Sequence, residues 1–161
     1  MTSTIRAKSS IATFHLHSTG TNVAQTIHQE GSVHTIRVDA APAFGGKDEH
    51  PSPIAYALSA LVSCSQVTSQ LVAKDLGVQL DGFEFDIKAE LDTAVLVHGA
   101  LEGNANFERV EIHAIVETDG SKAQLEQLRQ ETERRCPIYQ LFLRSGVTIT
   151  NHWSVRQPVT A

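Results

Sequence analysis

Two stretches of the chain alternate strictly between apolar and polar positions. Phe83, Phe85, Ile87, Ala89 and Leu91 are separated by charged or polar residues, and Val110, Ile112, Ala114 and Val116 repeat that period after Phe107. Successive side chains of a strand point to opposite faces, so both stretches predict half-buried strands. Nearer the start, residues 10–17, 22–29 and 33–40 are β-rich and are separated by Ser18-Thr-Gly-Thr21 and the breaker Glu30-Gly-Ser32. This spacing predicts a three-stranded antiparallel meander. In its third strand Ile36, Val38 and Ala40 share one face, and Val33, Thr35, Arg37 and Asp39 the other.

A different pattern begins at Pro53. From there to Ala73 the only ionisable groups are Tyr56 and Cys64, and apolar and small residues go all the way round a helical projection. Such a helix is expected to be buried on most sides. Its start is well marked, because Ser52 can accept from first-turn amides and Pro53 suits a position where a missing N–H costs nothing. Gly77, after Leu76, is a natural stop. A loop of about a dozen residues with paired glycines and prolines, 41–52, leads into it, and long loops in compact domains are usually functional.

After Leu91 the pattern is undecided to Asn106. Val95-Leu-Val97 reads as a short strand, and Gly99 and Gly103 as turns. Ser121 with Gln124 forms a capping box that opens a helix over 122–135, with Ala123, Leu125 and Leu128 as a thin apolar stripe and Glu131–Arg135 as an ion pair. Cys136 before Pro137 ends it. Pro137 then opens a short helix over 137–143, and the last strand covers 147–155. The fold class is α+β.

Length and composition narrow the function. At 161 residues the chain is read as a single domain, 1–161, able to bury about two-thirds of its unfolded surface. A net charge of −5 speaks against nucleic acid, which asks for a basic face. The first ten residues lack the apolar core of a signal peptide, and the polar density of the long helix is too high for hydrocarbon. A cytoplasmic protein without membrane contact is expected.

In a reducing compartment two cysteines are not a disulfide framework. They are either inert core thiols or a redox pair. Cys64 lies mid-helix, where burial raises a thiol and reactivity asks for a cation; Arg37 and His50 are the candidates. Cys136, at the N-cap before Pro137 and beside Arg134 and Arg135, meets the positive end of a helix and is the easier thiolate on these grounds. His15 and His17 share a strand face without a third ligand, so they read as a solvated face and no metal is expected. Trp153 reads as core or interface.

The run Val38-Asp39, Phe44-Gly-Gly-Lys-Asp-Glu-His-Pro-Ser-Pro53 and Ala57-Leu-Ser-Ala-Leu-Val-Ser-Cys64, followed by Leu76-Gly77, Asp92 and Glu133-Arg-Arg-Cys136-Pro137, resembles the osmotically inducible protein C (OsmC) and organic hydroperoxide resistance (Ohr) family. It is similar to a branch with Gly-Gly-x-Asp-x-x-Pro-Ser-Pro before the first cysteine. The resemblance implies two small antiparallel sheets around a long buried central helix, in an intertwined homodimer. It also implies a thiol peroxidase that reduces organic hydroperoxides and is reset by a dithiol reductant, lipoyl-type or other, with no cofactor. Cys64 matches the peroxidatic cysteine, Cys136 the resolving cysteine, and Arg37 the thiolate-stabilising cation. Phe44, Ile54, Tyr56 and Phe142 are the expected apolar pocket. One position departs from the pattern: ten residues before Cys64, where peroxidase members carry a glutamate, stands Ile54. Either Asp48 or Glu49 fills that role or it is vacant, which points to the alternative of a non-catalytic redox-sensing or small-ligand-binding protein.

Overall fold

A computed structural model of the protein describes residues 10–156, which divide into two compact units, one ending at Tyr56 and the other beginning at Ala57. The first unit is the predicted meander, an antiparallel sheet of β1 (Leu16–Thr21), β2 (Ala24–Gln29) and β3 (Thr35–Val38) in that order. Its first strand begins later than the sequence pattern suggests. Residues 18–21, read as a turn from their glycine and hydroxyls, belong to the strand, and the chain reverses instead at Asn22-Val23 between the paired Thr21 and Ala24. Asn22 takes φ 55, a conformation asparagine tolerates and two-residue hairpins favour.

The loop after β3 is folded back on Asp39. The Asp39 carboxylate accepts from the amides of Lys47 and Glu49, each at 3.1 Å. Hydrogen bonds from backbone amides, that of Ala40 foremost, hold its carboxyl below the ordinary carboxylate value. Pro42–Phe44 forms one 3-10 turn within this loop. A Cβ on Gly46 would stand 1.9 Å from the Ala40 carbonyl oxygen, so only glycine fits where the loop crosses its own start.

Helix α1 (Pro53–Leu76) starts as predicted, with Ser52 Oγ accepting from Ala55 N at 3.2 Å, and stops at Gly77 with φ 66. Most of its length belongs to the second unit, which continues with β4 (Leu80–Leu91), α2 (Ala94–His98), β5 (Phe107–Thr118), α3 (Lys122–Arg135), α4 (Pro137–Arg144) and β6 (Thr148–Arg156). The segment read as a short strand at Val95–Val97 is helical. Asp92 accepts from Ala94 N at its start and Gly99 caps its end, which local apolar character alone does not reveal.

The second sheet has the order β4-β5-β6 and is mixed, not wholly antiparallel as expected. β4 pairs antiparallel with β5, but β6 runs parallel to β5 because the α3–α4 connection carries the chain back to the starting end. The inward positions of β5 behave as their period predicts: Val110 and Val116 are fully buried, and Ile112 and Ala114 nearly so. Trp153 packs its ring edge-on against Phe83 at 5.7 Å, half-buried in the core as expected.

α1 lays one stripe into the interior: Leu61, Ser65, Thr68, Ser69, Val72 and Ala73. In the single chain its apolar character exceeds its burial, since Val67 and Leu71 are 65% and 56% exposed. In α3 the capping box forms as predicted, while Glu131 pairs with Arg134 at 2.6 Å and Arg135 reaches Asp75 instead. The buried stripe of α3 is Leu125, Leu128 and Thr132, with Ala123 exposed.

Thr132 Oγ1 is buried and has no hydrogen-bond partner among the described residues. An unpaired buried hydroxyl costs about 1–3 kcal/mol, whereas an apolar group of the same shape costs nothing there. Thr132→Val is therefore expected to stabilise the protein by roughly 1 kcal/mol, read as a higher urea midpoint at unchanged slope. An unchanged or lowered midpoint would show that the hydroxyl has a partner.

Candidate active site

Cys136 is placed by two helices at once. Its N–H donates to Thr132 O at 2.8 Å, closing α3, and its backbone then turns extended, at φ −74 and ψ 114, as the residue before a proline must. From there its Sγ accepts from Tyr139 N at 3.4 Å, capping α4. The predicted N-cap thiol is therefore present, and it is fully buried.

Cys64 approaches from α1, one residue before Ser65 on the buried stripe, and is half-buried. Both cysteines are free thiols, and Cys64 packs against the buried cluster that contains Cys136. Burial pushes the Cys64 thiol above its ordinary value, and the neighbouring Cys136 thiol adds to this. Two groups oppose the shift without reversing it, the N–H of Ile138 and the hydroxyl of Thr68, both of which hydrogen-bond to the Cys64 side chain. Ile138 and Tyr139 follow each other in the first turn of α4, whose amides have no partner within the helix. That turn gives its Tyr139 amide to the Cys136 sulfur.

The walls of this pair are apolar. Leu61, Val110, Ile112, Tyr139 and Phe142 form a common buried cluster with Cys136, and Cys64 packs against it. Phe142, expected in the pocket, is 9% exposed and stacks on Phe107 at 5.7 Å. The Tyr139 phenol is pushed up to about 12, chiefly by burial and then by the Glu133 carboxylate, so it stays neutral at physiological pH.

The remaining expected site residues lie in the first unit. Arg37 is exposed on β3 and lines an open depression of about 590 Å³ together with His28, Thr35, Asp39, Glu49 and His50. Among the described residues Arg37 makes no ion pair, and its backbone carbonyl accepts from Tyr56 Oη at 2.7 Å. Phe44 and Ile54 are 49% and 41% exposed, and Tyr56 is half-buried. Of the two candidate substitutes for the glutamate, Glu49 borders the same depression as Arg37, while Asp48 takes φ 59 and gives its N–H to Ala40 O. His15 pairs with Glu30 at 2.9 Å, and no group of three metal-ligating side chains occurs among the described residues.

Reading by sequence overlooked Asp39 as the organiser of the loop, and Ser65, Thr68 and Ile138 as neighbours of the sulfurs. An aspartate at a strand end, ahead of a glycine-rich loop, is a usable sign of backbone anchoring. Ser65 and Thr68 carry no local sign beyond their place on one helix face with Cys64.

Two free thiols thus stand in an α+β framework of two three-stranded sheets. The chain belongs to the OsmC-like protein family, which matches residues 46–151 and hence well over half of its length. Among solved structures, an OsmC-like protein from Mycoplasma pneumoniae superposes with a TM-score of 0.71 at 16% identity, covering 91% of this chain and 97% of that one. An organic hydroperoxide resistance protein OsmC from Legionella pneumophila gives 0.70 at 16% identity, over 91% and 100% of the two chains. The organic hydroperoxide resistance protein OhrB of Bacillus subtilis gives 0.59 at 17% identity, over 89% and 98%. At these identities the likeness shows the fold. No curated protein matches the sequence. No helix among the described residues is long and apolar enough to cross a membrane.

Proposed function

We propose that the protein is a thiol-dependent peroxidase that reduces organic hydroperoxides. The observation that carries this reading is the pair itself: Cys64 and Cys136 are both free thiols, and the half-buried Cys64 packs against the apolar cluster that encloses Cys136. The Cys64 thiolate attacks the terminal peroxide oxygen, the O–O bond breaks, and the alkoxide leaves and is protonated. Cys64 is left as a sulfenic acid, which Cys136 converts to a disulfide, and a dithiol of lipoyl or similar type returns both thiols. Apolar walls favour an organic hydroperoxide over hydrogen peroxide. The family match from 46 to 151 draws on both units, which supports treating 1–161 as one OsmC-like domain of the Gly-Gly-x-Asp-x-x-Pro-Ser-Pro branch. The exposed Val67 and Leu71 support a homodimer, since an apolar helix face gains from a second copy. The proposed setting is the cytoplasm, which keeps the thiols reduced.

Stopped-flow oxidation of the reduced protein by cumene hydroperoxide, with mass analysis of the product, tests the reading. Oxidation much faster than that of free cysteine, ending in a Cys64–Cys136 disulfide, is expected. A rate no greater than that of free cysteine would exclude it. Such a failure would favour the second reading, a redox-sensing or ligand-binding member, to which Ile54 at the glutamate position and the raised Cys64 thiol both lend weight.

A further inference from the structure

The hydrogen bonds around Cys136 have a direction. Ser65 Oγ lies 2.8 Å from Leu61 O, and a hydroxyl has a single proton to give. With that proton on the carbonyl, the contact of 4.0 Å between Ser65 Oγ and Cys136 Sγ runs the other way: the thiol donates and the serine accepts. On another side Cys136 Sγ accepts from Tyr139 N. A sulfur tied to an acceptor and a donor at once is held to one rotamer instead of choosing among three. Both groups are buried, Ser65 at 4% and Cys136 at 0% exposure, so solvent offers neither a replacement partner. The orientation also matters for chemistry. With its S–H directed at Ser65, Cys136 turns a lone pair toward Tyr139 N–H, within the buried cluster against which Cys64 packs.

We propose that Ser65 is a positioning residue for disulfide formation, holding Cys136 Sγ with a lone pair facing the Cys64 sulfur. This inference rests on the thiol chemistry proposed above. In the step concerned, Cys136 Sγ attacks the sulfur of the Cys64 sulfenic acid, the S–S bond forms and the S–O bond breaks. The sulfenic sulfur is reduced, the Cys136 thiol is oxidised, and the departing hydroxide leaves as water with the thiol proton. Ser65 exchanges no atom in this sequence and reaches it only through Cys136. Its hydroxyl therefore bears on the second step and leaves the first, the attack of Cys64 on the peroxide, unchanged.

The experiment follows both steps in one mixture. Reduced wild type, Ser65→Ala and Ser65→Thr are mixed with one equivalent of cumene hydroperoxide and acid-quenched at intervals, and intact masses give the sulfenic acid and disulfide populations. Ser65→Ala is expected to form the sulfenic acid at the wild-type rate and to close the disulfide roughly tenfold more slowly, the scale of a modest misplacement of reacting groups. Ser65→Thr, which keeps the hydroxyl, is expected to recover most of the closing rate. Equal closing rates in wild type and Ser65→Ala would overturn the role of Ser65 and leave the peroxidase reading standing. Equal slowing of both steps would also overturn it, since a general structural loss does not separate them. Neither sulfenic acid nor disulfide in the wild type would overturn the peroxidase reading and this inference together.

Discussion

Cys64→Ser is expected to lose hydroperoxide turnover by on the order of a thousandfold or more, the scale seen when an enzyme's nucleophile is removed. Cys136→Ser is expected to complete one oxidation and stop, with the sulfenic acid accumulating where the wild type forms a disulfide. The two substitutions separate because the thiols differ in setting. Cys64 is half-buried and can be reached from outside, whereas Cys136 is fully enclosed and meets only its neighbours. Both variants should fold. Serine is close to cysteine in shape, and at position 136 its oxygen can take the Tyr139 amide that the sulfur now accepts. Peroxide consumption in a coupled dithiol assay checks the first outcome, and the mass of the product with a sulfenic-acid trap checks the second. Full turnover in either variant would show the roles to be wrongly assigned.

A steep dependence on pH is the second large effect. The thiolate is the nucleophile, and burial followed by the hydrogen bond to Cys136 raises the Cys64 thiol above its ordinary value. The oxidation rate should climb about tenfold per pH unit through the ordinary thiol range and level off only above it. Stability moves the opposite way. A thiol raised in the folded state contributes stability that is present below its unfolded value and is lost as pH rises through the folded one, because the unfolded chain ionises first. Cys64 is only half-buried, so that loss is small, and circular dichroism at each pH keeps it apart from the chemistry. Rates of Cys64 oxidation from about pH 6 to about pH 10 give the profile. A plateau at or below neutral pH would mean that a cation outweighs burial at the sulfur.

Elements with a long, regular period were legible before the fold was known. β4, β5, α1, α3 and α4 fall where alternation, caps and the proline after Cys136 put them, because each is determined by residues within its own length. The misread segments are those where local character is ambiguous. Gly20 and its hydroxyl neighbours look like a turn but pair with β2, and Val95-Leu-Val97 looks like a strand but is closed into a helical turn by Asp92 and Gly99. The parallel course of β6 was not legible either, since strand direction depends on the path of α3 and α4 between its partners.

The site divides along the same line. The two cysteines, the N-cap setting of Cys136 and the departure at Ile54 are properties of the sequence alone, carried by residue type and by spacing to Pro53 and Pro137. That Cys64 packs against the cluster holding Cys136, that burial raises Cys64, that Ser65 Oγ lies 4.0 Å from Cys136 Sγ and that the first turn of α4 gives this sulfur an amide were decided only by the tertiary structure. The reason is physical. A hydrogen bond or a desolvated thiol between α1 and α4 depends on distances across the core, and those are set by how β5, α3 and the two helices pack, through contacts between residues far apart in the chain.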